Sequence, residues 1–190
     1  MNRAAFLDRD GVINQKAPQD QYITRWEEMQ LLPGVVEAIA LLNRAGFLVI
    51  VVTNQRCVAK GLITAAELDT IHEQMRNALA HWGARLDGVY YCPHELQPPC
   101  ACRKPRPGML LEAARAHDVD LRASWMIGDS DRDVEAGKSA GCKTARLLRN
   151  GETGNCKADV VARSLLEATR QILQWEEAIA DRPTMDTAQA

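Results

Sequence analysis

"LVIVVTN", Leu48–Asn54, is an unbroken run of aliphatic, mostly β-branched residues that stops abruptly at two polar ones. A run of this length is short for a buried helix. Its continuity, rather than alternation, suits a strand whose sheet is covered on both faces. The flanking sequence agrees. "GVVEAIALLNRAG" (Gly34–Gly46) carries helical apolar spacing and a terminal glycine suited to a C-cap, and Thr64 with Glu67 makes a capping box that opens a helix running to about Gly83. Ala4–Leu7 is a shorter apolar run ending in acids, and "GVYYC" (Gly88–Cys92) is a third strand. A helix from about Gly108 to His117, a strand in "SWMIGDSDRD", a helix and strand in "AGKSAGCKTARLL", a short strand at Asp159–Ala162 and a last helix at Arg163–Ile179 complete the series. Strands alternating with helices imply βα units around a parallel sheet, an α/β fold.

No Pro/Gly/Ser-rich linker divides the 190 residues, 46% of them hydrophobic, so one domain over 1–180 is expected, with 181–190 a flexible tail. The polar loop Val12–Met29 should lie over the edge of the first strand. A net charge of −2 argues against a generic nucleic-acid binder. The start "MNRAAFLDRDG" has too short an apolar run for a signal peptide, and no segment is long enough to span a membrane, so a cytoplasmic, reduced protein is expected. With no spare apolar face in the sequence, a monomer is expected. Of six cysteines, Cys57, Cys142 and Cys156 read as free thiols.

Ligands in open α/β sheets bind beyond the carboxyl ends of the strands. The first strand delivers "DRDGV". Asp8 and Asp10 are two apart, on one side of an extended backbone, and Gly11 permits a sharp turn. The second delivers Thr53, Asn54 and Gln55, the third a cysteine cluster followed by Arg103 and Lys104, and the fourth Asp129 with Asp133. Singly, each has an ordinary explanation: an acidic turn, a capping threonine, a solvated cation pair, acids suited to a helix dipole. Together they suit magnesium-dependent phosphoryl transfer, in which carboxylates hold a hard cation and a lysine and a hydroxyl neutralise phosphate oxygens.

The segments "FLDRDGV", "VVTNQ", "CRKPRPGM" and "MIGDSDRD" resemble the four motifs of the haloacid dehalogenase (HAD) superfamily, over about Ala4 to Leu148. The resemblance implies a HAD-like Rossmannoid parallel sheet flanked by helices. It also implies Asp8 as nucleophile, Asp10 as general acid and then base, and Thr53 and Lys104 as phosphoryl-binding catalytic groups. Mg2+ would be held by Asp8, the backbone carbonyl of Asp10 and Asp129, supported by Asp133. A second carboxylic acid beside the leaving oxygen favours phosphate esters over carbon–halogen bonds, whose leaving group needs no proton. Neither interval between the early strands is long enough for a separate cap domain, so loops should choose the substrate.

The third-strand loop reads C-x-H-x5-C-x-C: Cys92, His94, Cys100, Cys102. Four N/S ligands make a closed structural zinc site, without the open position catalytic zinc needs. Lacking aromatic residues between its ligands, the loop is a poor nucleic-acid knuckle. It is expected to brace Arg103 and Lys104. A capless phosphatase with this loop resembles two related families, the D-glycero-D-manno-heptose 1,7-bisphosphate 7-phosphatases of lipopolysaccharide-precursor synthesis and the histidinol-phosphate phosphatases. "TNQRCVAKGLIT" (Thr53–Thr64) is more similar to the first, which tend to read T-N-Q-S-G-I-A-R-G. That favours a small sugar bisphosphate as partner, with Asn54, Gln55, Arg56, Arg103 and Lys104 binding it. The departure is Arg56-Cys57 in place of Ser-Gly: Arg56 is a candidate cation for the distal phosphate, and Cys57 stands where a glycine conformation is expected. A polynucleotide 3′-phosphatase and a non-enzymatic zinc module are the remaining alternatives.

Overall fold

A computed structural model describes residues 1–149, 151–152 and 157–180. Its elements run β1 Arg3–Leu7, α1 Val35–Arg44, β2 Phe47–Asn54, α2 Ala65–His81 and β3 Gly88–Cys92. They continue with α3 Gly108–Ala116, β4 Trp125–Gly128, α4 Asp131–Ala140, β5 Lys143–Leu147, β6 Val160–Ala162 and α5 Leu165–Ala180. The strands form one parallel sheet in the order β3-β2-β1-β4-β5-β6.

Strand alternation explains the two-sided core. Ala5, Leu7, Val49, Val51, Trp125 and Ile127 point to one face, where they meet α1, α2 and α5. Their neighbours Ala4, Phe6, Ile50, Val52 and Met126 point to the other, against α3 and α4. Every one of these residues is fully buried, which is why the strands read as continuous apolar runs. The chain winds outward from β1 to β2 and β3, then crosses to β4 on the other side of β1. The switch point therefore lies between the ends of β1 and β4, where Asp8 and Asp129 emerge.

Element boundaries shift from the sequence expectations for local reasons. The last helix begins after Arg163 and Ser164, because Ser164 Oγ accepts from the Glu167 amide at 3.1 Å and Glu167 accepts in return from the Arg163 amide at 2.8 Å. The Thr64–Glu67 capping box opens α2 as expected. The 12–29 loop is better anchored than its polarity suggests. Val12 and Ile13 are fully buried, Leu32 and Gln15 bridge its base to Ile13 and Gln30, and Trp26–Glu28 forms a single 3-10 turn. Among the described residues, no folded unit beyond this loop, α1 and α2 is inserted between the first three strands, and no helix is long and apolar enough to cross a membrane. Cys156 and the expected tail at 181–190 lie outside the described residues; Cys57 and Cys142 are buried free thiols.

Candidate active site

The Asp8 amide donates to Ile127 O at 3.0 Å, fixing the end of β1 to β4. Gly11 turns the chain at a φ of +90°, and a Cβ there would lie 2.1 Å from Asp129 Oδ2; only glycine fits on both counts. At Gly128 the constraint is space alone, since a Cβ would overlap that of Asp133. Asp8, Asp129 and Asp133 thereby converge, each with a carboxylate oxygen within 4.8 Å of the others.

Cations hold this acidic cluster. The Lys104 ammonium, 2% exposed, donates to Asp8 Oδ1 at 2.9 Å, Asp133 Oδ1 at 2.7 Å and Val52 O at 2.7 Å. All three of its donors are used. Asp133 spends its other oxygen on Ser130, accepting from the amide at 3.0 Å and the hydroxyl at 2.5 Å, and so holds the start of α4. Asp129 pairs with Lys16 at 3.3 Å and with Arg149, neither of which the strand-end pattern had indicated. Burial pushes Asp8 up to about 7 against the opposing pull of Lys104, with Asp133 and Asp10 adding to the rise. Burial works the same way on Asp133, but there Lys104 and Ser130 outweigh it and hold the group below the usual range.

Asp10 sits differently. Its Oδ1 accepts from Arg9 Nη2 at 3.0 Å and Asn14 Nδ2 at 2.9 Å, and its Oδ2 from Gln55 Nε2 at 2.9 Å. Burial raises its pKa, but the Arg9 charge and these hydrogen bonds overcome that and leave it lowered. The two carboxylates two residues apart are thus pushed in opposite directions, Asp8 toward its protonated form and Asp10 toward its ionised one.

The expected substrate-binding residues divide. Arg103 and Lys104 line a hollow of about 200 Å³ with Asp8, Asp10, Thr53 and Arg132. It adjoins a larger one of about 460 Å³, roofed by residues 16–23 and lined also by Asn54, Gln55 and Arg149. Asn54 commits both ends of its amide to the Lys104 backbone, each at 3.1 Å, and Gln55 Nε2 bridges Asp10 to Thr53 Oγ1, each at 2.9 Å. Both act as braces within the protein. Arg56 is a correction: its guanidinium turns to Glu95 on the cysteine-bearing loop, where it ties two loops together instead of facing the hollow around Asp8. Cys57, expected to strain a glycine position, has no left-handed φ; it is fully buried with Sγ 3.6 Å from Gln55 Oε1.

Cys92, His94, Cys100 and Cys102 come together as the spacing required. All their donor atoms lie within 4.8 Å of one another, with Cys92 Sγ–Cys100 Sγ 3.5 Å, Cys100 Sγ–Cys102 Sγ 3.4 Å, His94 Nδ1 to Cys92 Sγ 3.6 Å and to Cys102 Sγ 3.2 Å. The edges of a zinc tetrahedron with bonds of about 2.3 Å to sulfur are about 3.8 Å, so little movement would seat the ion. Although burial raises Cys100, hydrogen bonds with Cys102 and Cys92 bring it down to about 6, while burial and the neighbouring thiols raise Cys92 and push Cys102 up to about 12. Arg103 donates to His94 O at 3.2 Å and Gly108 packs on Ala101, tying this loop to the Lys104 segment and to α3.

The fold and this site define a HAD-like hydrolase, and residues 101–168 match the HAD-hydrolase-like family model. The chain belongs to the D-glycero-β-D-manno-heptose-1,7-bisphosphate 7-phosphatase family of phosphoric monoester hydrolases. It is 42% identical to the family member of Bordetella bronchiseptica over 87% of this chain and 89% of that one. To the Escherichia coli K12 member it is 38% identical over 90% and 92%. The crystal structure of D,D-heptose 1,7-bisphosphate phosphatase from B. bronchiseptica, complexed with magnesium and phosphate, superposes with a TM-score of 0.82 at 39% identity, over 91% of this chain and 99% of that one.

Proposed function

We propose that this chain hydrolyses the 7-phosphate of D-glycero-β-D-manno-heptose 1,7-bisphosphate, in the supply of heptose for lipopolysaccharide. The carrying observation is the convergence of Asp8, Asp10, Thr53, Lys104 and Asp129 at the β1/β4 switch point of a chain so similar to heptose bisphosphatases. The same relatives favour this substrate over histidinol phosphate.

In this account an Asp8 carboxylate oxygen attacks phosphorus, the bond from phosphorus to the C7 oxygen breaks, and Asp10 delivers a proton to the departing alkoxide. Asp10 then takes a proton from water, whose oxygen attacks the aspartyl-phosphate; Asp8 is released with inorganic phosphate and the heptose 1-phosphate. Lys104 and Thr53 steady the phosphoryl oxygens. The hard-oxygen cluster of Asp8 and Asp129, with Asp133 in support and the Asp10 carbonyl nearby in sequence, suits Mg2+. That three protein cations crowd these carboxylates shows how much positive charge the cluster demands. When bound, Mg2+ supplies charge that favours ionised Asp8 and neutralises phosphate oxygens. Zn2+ at Cys92, His94, Cys100 and Cys102 would brace Arg103, which lines the hollow around Asp8, for contact with the substrate beyond the reacting phosphate.

Phosphate release from the α- and β-heptose 1,7-bisphosphates and from histidinol phosphate, with Mg2+, tests the proposal. The β-heptose bisphosphate should be the best substrate, with Asp8→Asn inactive and unlabelled oligonucleotide without effect. A preference for histidinol phosphate would overturn it.

A further inference from the structure

Arg9 stands between the two aspartates, and its position would place it on the surface if the turn were merely acidic. Instead it is fully buried. Its guanidinium grips the Asp10 carboxylate through Nε to Oδ1 at 3.2 Å and Nη2 to Oδ1 and Oδ2 at 3.0 and 3.1 Å. The remaining terminal nitrogen, Nη1, lies 3.1 Å from Nε2 of His72, itself 4% exposed on α2. A guanidinium only donates, so His72 Nε2 accepts and the ring carries its proton on Nδ1. A guanidinium loses its hydration on burial and needs partners to replace it, and here the Asp10 carboxylate and the His72 ring are those partners.

We propose that Arg9 and His72 form a two-part positioning device for the Asp10 carboxylate: α2, through an imidazole, fixes the guanidinium that sets where the proton-transferring oxygens lie. The planar fork of arginine orients a carboxylate in a way a lysine cannot. An imidazole lone pair is well chosen for the second contact, because a carboxylate there would compete with Asp10 for the guanidinium. Burial, and then the Arg9 charge, push His72 down to about 3, so the ring stays a neutral acceptor over the working pH range. Tyr91 packs against it, ring centroids 5.5 Å apart, limiting its rotation.

The proposal rests on Asp10 handling the proton of the leaving alcohol, and leaving-group dependence therefore tests it. In kcat/KM, which reports steps through transfer to Asp8, a sugar ester needs that proton and p-nitrophenyl phosphate does not. His72→Leu should lower kcat/KM for the heptose bisphosphate about 10–100-fold, a fraction of what general acid catalysis contributes, and that for p-nitrophenyl phosphate less than about threefold. His72→Gln, which restores an acceptor, should recover most of the loss. Arg9→Lys keeps the charge but cannot span Asp10 and His72 together; it should show the same selective loss, and it serves if His72→Leu does not fold. Equal proportional losses on both esters, or a lowered melting temperature with an unchanged ratio, would overturn the device. Failure of the wild type to cleave the heptose ester would instead count against the proposed function.

Discussion

Replacing Lys104 with methionine keeps the side-chain length, removes the charge, and leaves Asp8, Asp133 and Val52 O without their shared donor. Breaking a buried ion pair by deleting one partner costs about 3–5 kcal/mol. In a domain of this size each kcal/mol is worth about 2–4 °C, so Mg2+-free Lys104→Met should melt about 6–20 °C below wild type at pH 8. The deficit depends on pH with a definite sign. Asp8 has a folded pKa of about 7 against 3.8, so the folded chain holds its proton longer, and its contribution to stability falls as pH rises between those values. Asp133 is lowered instead, and its contribution is present above 3.8 and lost as pH falls below it. Without Lys104 both carboxylates rise, so acidification to pH 5 lets them take up protons and narrows the gap. Mg2+, binding the more negative cluster, should stabilise the variant more than the wild type. Calorimetry or circular-dichroism melts at pH 5 and 8, with and without Mg2+, measure all of this. A deficit equal at both pH values, with equal Mg2+ stabilisation of the two proteins, would refute the electrostatic account of Lys104.

Other consequences are simpler. Arg56→Ala should leave KM for the heptose bisphosphate within about twofold of wild type, because Arg56 pairs with Glu95 and faces away from Asp8; a KM rise of tenfold or more would restore it as a phosphate contact. Gly11→Ala should cost about 1–3 kcal/mol from its positive φ alone and also lower Mg2+ affinity, since its Cβ would displace Asp129, as titration calorimetry would show. Removing zinc, by chelation and then restoring Mg2+, should speed amide exchange across 92–104 and raise KM more than it lowers kcat; full activity in zinc-free protein would sink the bracing role.

The strand ends were legible because the chemistry there is local. Asp8 and Asp10, Thr53, Lys104 and Asp129 each follow an apolar run within a residue or two, and a parallel sheet gathers such ends whatever the loops do. The clustering of Cys92, His94, Cys100 and Cys102 was legible for a similar reason, since they lie within one loop at metal-ligand spacing. What the sequence concealed depends on tertiary approach. Lys16 reaches Asp129 across 113 positions and His72 reaches Arg9 across 63, with no pattern in the chain to pair them. Asn54 and Gln55 line the hollows beside Asp10, but only the fold shows that their amides also brace the Lys104 backbone, Asp10 and Thr53. Arg56 misled, since its partner Glu95 is on a loop the sequence assigned to zinc alone.

The central claim is that Asp8 carries the phosphoryl group between substrate and water. Acid quenching during Mg2+-supported turnover of the heptose bisphosphate, followed by peptide mapping, locates that group directly. It should be found on the peptide containing Asp8 and be missing from Asp8→Asn. Rapid turnover with that peptide unmodified, or with the phosphoryl group on another residue, would contradict the account.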